Sequence, residues 1–213
     1  MTDTFRLMVA QLNPTVGDIA GNMAKAREAW AKAKAAGADM LALTEMFVTG
    51  YQTQDLILKP AFVSAALAAV EGLAVDCADG PAIGIGGPVR MGGRLYNGYF
   101  VLQGGKVSAR VLKHHLPNDA VFDEKRVFAS ADVHGPYVVN GVRIGTPICE
   151  DAWHSDVAET LAETGAEILL IPNGSPYHRG KPNLRLNLMV ARVVETGLPL
   201  VYLNMVGGQD DQV

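Results

Sequence analysis

Cysteine is scarce in this chain: its 213 residues hold two, Cys77 and Cys149, far apart in the sequence. So sparse a pair excludes a disulfide framework and fits a reducing cytoplasm. Long apolar runs are missing as well. No stretch reaches the ~18 residues that cross a bilayer, so a membrane partner is not expected. The N-terminal MTDTFRLMVAQL has an early acidic residue and only a short apolar run, and does not read as a signal peptide. Basic excess is lacking too. The net charge is −4 and no basic face emerges, which argues against nucleic acid as a partner. There is no low-complexity segment, linker or fixed-period repeat. What these absences leave is a cytoplasmic globular chain, 49% hydrophobic, with enough length for one domain and a sizeable core.

Strand-like and helix-like segments alternate along it. Residues 5–11, 39–44, 142–148, 167–171 and 199–204 read as strands. Residues 22–36 predict a helix with Asn22 as N-cap and Gly37 as stop; residues 60–77, 155–164 and 182–196 predict three more. Residues 82–89, 95–103 and 106–113 read as an antiparallel meander joined by Gly92-Gly93 and Gly104-Gly105. The fold class is therefore α/β, with mixed sheets covered by helices. Functional groups in such sheets gather at the carboxyl ends of strands. Glu45, Lys113, Cys149 and Asn173 all fall at or just beyond such ends.

Cys149 is the centre of PICEDAW, between an expected strand and an expected helix. A cysteine on such a turn points its sulfur into a cleft, and a following helix N-terminus favours the thiolate. A thiolate that attacks an amide carbonyl splits cleavage into two easier steps. The thiol must lose a proton, the leaving amine must gain one, and the oxyanion needs stabilising. A partly buried glutamate can move the proton both ways, and a lysine ammonium can offset the oxyanion. Glu45, Lys113 and Cys149 supply one residue of each type. Each also has an ordinary explanation: a buried structural thiol, a strand-terminating glutamate and a solvated KHH turn. His114 and His115, adjacent on a strand, would face opposite sides, and both are read as structural. His134, His154 and His178 show no metal-ligand spacing with Cys149. The glycine-rich IGIGGPV lacks the GxGxxG spacing and reads as a tightly packed strand. Cys77 falls in an apolar helix pattern and reads as core.

The set TEMFVTGY, VLKHHLPN, FDEKR, PICEDAW and IPNGSPY resembles the nitrilase superfamily, whose members use a Glu–Lys–Cys triad on an αββα sandwich. AQLNPTVGDIAGN, LPN followed by FDEKR, and a glutamate directly after the cysteine are similar to the glutaminase domains of glutamine-dependent NAD⁺ synthetases. The resemblance runs from about Arg6 to the last residue. It implies Cys149 as nucleophile, Glu45 as general base and acid, and Lys113 as oxyanion stabiliser. It also implies Ser175 and Lys181 as glutamine-binding residues, with Glu150 facing the substrate ammonium. Asp119 stands where family members carry a tyrosine that contacts glutamine. It brings charge instead of a ring and is retained as a binding candidate.

Residues 1–213 would then form one glutaminase domain lacking its last strand, because the chain stops at GGQDDQV and holds no SGGxDS-type pyrophosphate loop. The resemblance implies no cofactor for the glutaminase step, with ATP and Mg²⁺ belonging to an absent synthetase domain that would receive the ammonia. It further implies L-glutamine as substrate and a homo-oligomer. A stand-alone amidase on another small amide, or a non-catalytic amidase-like module, stays open beside this reading.

Overall fold

The computed structural model describes residues 4–119 and 121–208. Two sheets stack face to face with helices on both outer sides, giving the αββα sandwich. The first half of the chain builds one side: β1 (Leu7–Val9), α1 (Ile19–Ala35), β2 (Met40–Ala42), α2 (Pro60–Asp76), β3 (Ala82–Met91), β4 (Arg94–Gln103) and β5 (Lys106–Leu112). Their strands lie in the order β1-β2-β3-β4-β5, parallel through β3 and antiparallel thereafter. The second half adds β6 (Tyr137–Val139), β7 (Val142–Gly145), α3 (Ser155–Glu163), β8 (Ile168–Asn173), α4 (Lys181–Thr196) and β9 (Leu200–Asn204), with strand order β6-β7-β8-β9.

Strand alternation sorts side chains between the layers. Met40, Ala42, Tyr99 and Val101 of the first sheet meet Tyr137, Ile144, Leu170 and Leu203 of the second in the central layer. The opposite faces bind helices. Leu41, Ile83 and Ile85 pack on Ala26 and Ala33 of α1 and Val70 and Leu73 of α2. Leu169 packs on Val157 and Leu161 of α3, and Ile171 on Met189 of α4. Small residues on α1 and α2 let both helices lie close to the sheet. Cys77 ends α2 inside this layer, with its thiol pushed up to about 11 by burial.

Three local expectations are corrected. The N-cap of α1 is Asp18, whose carboxylate accepts from Gly21 N at 2.9 Å. Asn22 is instead fully buried and tethers the preceding loop, accepting from Thr15 N and donating to Thr15 O and Val48 O. The strand expected over 142–148 stops at Gly145, so the last three residues before Cys149 lie outside the ladder. Strand β6, three residues without a clear alternation, was not anticipated. No described helix is long and apolar enough to cross a membrane.

Candidate active site

Glu45 lies three residues past β2, Lys113 one past β5, Cys149 four past β7 and Gly174 one past β8. The sandwich brings these carboxyl ends together; Asn173, the fourth residue of the strand-end expectation, is the last of β8, and its buried amide donates to Ile171 O at 2.8 Å, while the next residue, Gly174, makes the contact to Glu45. Two glycines make the approach possible. A Cβ on Gly86 of β3 would stand 2.3 Å from Met46 N and 2.6 Å from Thr44 O, so only glycine lets β3 pass the Glu45 turn. A Cβ on Gly174 would stand 2.6 Å from the Tyr51 ring. Lacking one, Gly174 donates its N–H to Glu45 Oε2 at 2.8 Å.

The floor of the site is a buried ionic cluster. Lys113 Nζ donates to Glu45 Oε1 at 2.8 Å and pairs with Glu124 Oε2 at 2.9 Å, and no side chain of the three is more than 3% exposed. Asn97 Nδ2 bridges the carboxylates, donating to Glu45 Oε1 at 2.8 Å and Glu124 Oε1 at 2.7 Å. The Tyr51 hydroxyl donates to Glu124 Oε1 at 2.9 Å. Burial works against the Lys113 charge, but Glu124 and Glu45 outweigh it and hold the ammonium well above its ordinary range. Glu124, buried and sharing the site with Glu45, is held above the usual carboxylate range despite Lys113.

Cys149 has φ of 48°, a left-handed conformation that non-glycine residues adopt at a cost. It opens a 3₁₀ turn, Cys149–Trp153, and α3 begins only at Ser155. The expected helix N-terminus is therefore not at the sulfur. Cys149 is 3% exposed, and its thiol is pushed well above its ordinary value by burial and by Glu45, with Lys113 opposing. The expectation of a favoured thiolate is corrected: two carboxylates and desolvation hold the resting group as a thiol. Its hydrogen bond to Glu45 shows where its proton can go.

Above the floor opens a cavity of about 800 Å³. Cys149, Asp119, Glu150, Ser175 and Lys181 all line it, so every proposed binding position faces one space. Ala120 lies outside the described residues. Lys181, the first residue of α4, holds its ammonium 5.6 Å from the Phe122 ring and 5.8 Å from that of Trp153. Burial and Arg185 lower its pKa. Ser175 is buried and anchored rather than loose. Its Oγ accepts from Arg185 at 2.7 Å, and its backbone N–H and C=O are bonded to the Asn204 side chain. Glu150 is half-buried and stands 3.7 Å from His154 Nε2.

Sequence reading missed four parts of this arrangement. Glu124 lay inside the quoted FDEKR but was not singled out, since nothing local distinguishes it from Asp123. Asn97 and Tyr51 are visible only through their partners. Asp151, in PICEDAW, is buried and accepts from Ile148 N at 2.9 Å, His115 N at 2.7 Å and His114 N at 3.1 Å. It thus joins the segment leaving Lys113 to the residue before Cys149. The histidines also depart from expectation. They lie beyond the end of β5, so strand alternation does not separate them, and their rings meet edge-on at 4.5 Å.

The carbon-nitrogen hydrolase family model matches residues 6–213. A glutamine-dependent NAD⁺ synthetase of Rhodobacter capsulatus is 60% identical over all of this chain, which covers 39% of that relative. The structure of a glutamine-dependent NAD⁺ synthetase from Acinetobacter baumannii superposes with a TM-score of 0.92 at 33% identity, over 98% of this chain and 40% of that one. An amidase from Nesterenkonia sp. AN1, at 23% identity and a TM-score of 0.84, shares the fold over 99% of this chain and 82% of its own. The chain thus spans about two fifths of the length of its synthetase relatives.

Proposed function

The chain belongs to the carbon-nitrogen hydrolase family, and on that premise we propose that it is a thiol glutaminase that releases ammonia from the side-chain amide of L-glutamine. One observation carries the reading. A buried Glu–Lys–Cys cluster reaches, through Cys149, a cavity whose wall offers carboxylates (Glu150, Asp119) and an ammonium (Lys181). An α-amino acid with a side-chain amide is the complement of that wall and floor.

In this mechanism Cys149 transfers its proton to Glu45 as Sγ attacks the amide carbon. Two of the three Lys113 ammonium protons serve Glu45 and Glu124, and the third is available to the oxyanion. Glu45 then protonates the leaving nitrogen, and ammonia departs from a γ-glutamyl thioester. Water, deprotonated by Glu45, attacks the thioester; glutamate leaves and the thiol recovers its proton. Glu124 and Asn97 support the step by fixing Lys113 and Glu45. These side chains complete the cycle with no cofactor. The names of the relatives support a wider role in glutamine-dependent NAD⁺ synthesis, and within it we propose that a synthetase domain using ATP and Mg²⁺ takes the ammonia to amidate deamido-NAD⁺. We also read the chain as a homo-oligomer, supported by the exposed Leu186, Val190 and Val194 along α4.

The test is ammonia release from L-glutamine by the purified chain beside a Cys149→Ser control, with asparagine and small aliphatic amides as competitors. Release confined to glutamine and lost in the control is the expected result. Preference for another amide favours the stand-alone amidase instead. No release from any amide would sink the enzymatic reading of this chain.

A further inference from the structure

We propose that His114, His115 and Asp156 form a binding site for a divalent transition-metal ion of the zinc type, outside the cavity that holds Cys149. Their donor atoms lie within 4.8 Å of one another. His115 Nε2 stands 2.9 Å from each oxygen of the Asp156 carboxylate, and His114 Nε2 stands 4.0 Å from Oδ2. Donors about 2.0–2.1 Å from a tetrahedral ion are roughly 3.3 Å apart, so these separations bracket the required one. Closing the widest gap that the 4.8 Å limit allows takes about 1.5 Å in all, shared between two side chains.

The His114 ring is prepared for the role from behind. His114 Nδ1 lies 2.6 Å from the Ala131 carbonyl. A carbonyl only accepts, so Nδ1 carries a proton, and in the neutral imidazole Nε2 is the nitrogen with the lone pair, on the side of Asp156. Such an outer hydrogen bond is what orients a metal-ligating imidazole. The backbone N–H groups of His114 and His115 both donate to Asp151 Oδ1, and Asp156 sits in the first turn of α3, where its carboxylate accepts from Val157 N at 2.8 Å. The donors thus rest on braced backbone rather than on loose side chains.

A fourth ligand is within reach. The His154 ring lies 4.0 Å from that of His115, with Glu150 3.7 Å from His154 Nε2. His114, His115, His154 and Glu150 share the lining of a hollow of about 550 Å³, where Lys125 is the opposing cation. Two or three imidazoles with one carboxylate select a borderline ion over Mg²⁺ or Ca²⁺, which prefer oxygen alone. An ion held there would clip the segment after Lys113 to the start of α3. The inference does not depend on the glutaminase reading.

The test uses ZnCl₂ as probe and a Cys149→Ala background, which removes the thiol as a competing ligand. Calorimetric titration is expected to give one Zn²⁺ per chain, accompanied by a rise in Tm that a chelator reverses. His115→Ala and Asp156→Asn, each in that background, should lose affinity by about tenfold or more. Both should keep the metal-free Tm within a few degrees, since neither side chain is buried. No stoichiometric binding, or equal binding in both variants, would overturn the site.

Discussion

Lys113 in the buried cluster and Lys181 on the cavity wall are cations held in opposite ways. Lys113 is fully buried between two carboxylates, which raise its pKa far against the effect of burial. Lys181 is half-buried beside two aromatic rings and next to Arg185, and its pKa is lowered. The first is locked by charge into one position and one protonation state. The second is held weakly by its neighbours and can be reorganised around a charged ligand. Chemistry at the floor needs fixed atoms, because a shift of 1 Å costs rate steeply. Recognition at the wall needs charges left unspent by the protein itself.

The floor should therefore break hard. Cys149→Ala is expected to abolish ammonia release, since removing a catalytic nucleophile costs on the order of 10⁶-fold in turnover. Folding should survive, because the change removes one sulfur. Lys113→Met should lose both properties. It leaves Glu45 and Glu124 buried without their cation, and breaking a buried ion pair costs about 3–5 kcal/mol. Urea unfolding measures that loss directly. A Lys113→Met chain as stable as the parent would mean that the cluster is not ionic.

Asp151 tests how far the floor extends. Burial raises its carboxyl from an ordinary 3.8 to about 7, against the three N–H groups that favour its charge. The folded state then holds the proton more tightly than the unfolded one, so ionisation between about pH 4 and 7 lowers stability. The ionised form accepts from Ile148, His114 and His115 most strongly, whereas the protonated form weakens those bonds and adds a buried O–H that needs its own acceptor. Activity should thus fall about tenfold per pH unit below about 7 while stability rises. Asp151→Asn should flatten that limb at a lower plateau, tenfold to a hundredfold down, because its amide faces an N–H that then goes unpaired at about 1–3 kcal/mol. An acid limb unchanged in the variant would separate Asp151 from the chemistry.

These contrasts also mark what sequence could and could not disclose. Strand ends placed Glu45, Lys113 and Cys149 near one another, because alternating β and α patterns leave few ways to wind a sheet. The meander of β3, β4 and β5 was legible from paired glycines. The state of the thiol was not legible, since it depends on carboxylates far apart in the chain and on a 3₁₀ turn that delays α3. Glu124 and Asn97 stayed hidden for the same reason: each draws its meaning from Lys113, and neither lies near it in sequence. The histidine pair misled because alternation was applied where the strand had already ended.

The wall should give way gently. Lys181→Met is expected to raise KM for glutamine roughly tenfold to a hundredfold, the worth of one charge-assisted hydrogen bond at about 1.5–3 kcal/mol. Its kcat should change little, because Lys181 faces bound substrate rather than the reacting carbonyl. Steady-state kinetics separates the two constants. A fall in kcat equal to the loss in kcat/KM would move Lys181 from the wall to the floor.

Asp119→Tyr carries the smallest expected effect and the sharpest sign. Asp119 is exposed yet lines the cavity near Phe122, so the larger side chain has room. If Glu150 alone holds the substrate ammonium, a tyrosine adds an aromatic face and removes a charge that repels the substrate carboxylate. KM should then fall two- to fivefold, in keeping with about 0.5–1 kcal/mol for a cation beside an exposed ring. If Asp119 shares the ammonium with Glu150, KM rises instead. The rise would also be larger in the Glu150→Gln background, where no carboxylate would remain to replace it. The direction of a modest change thus tells which carboxylate reads the amino acid.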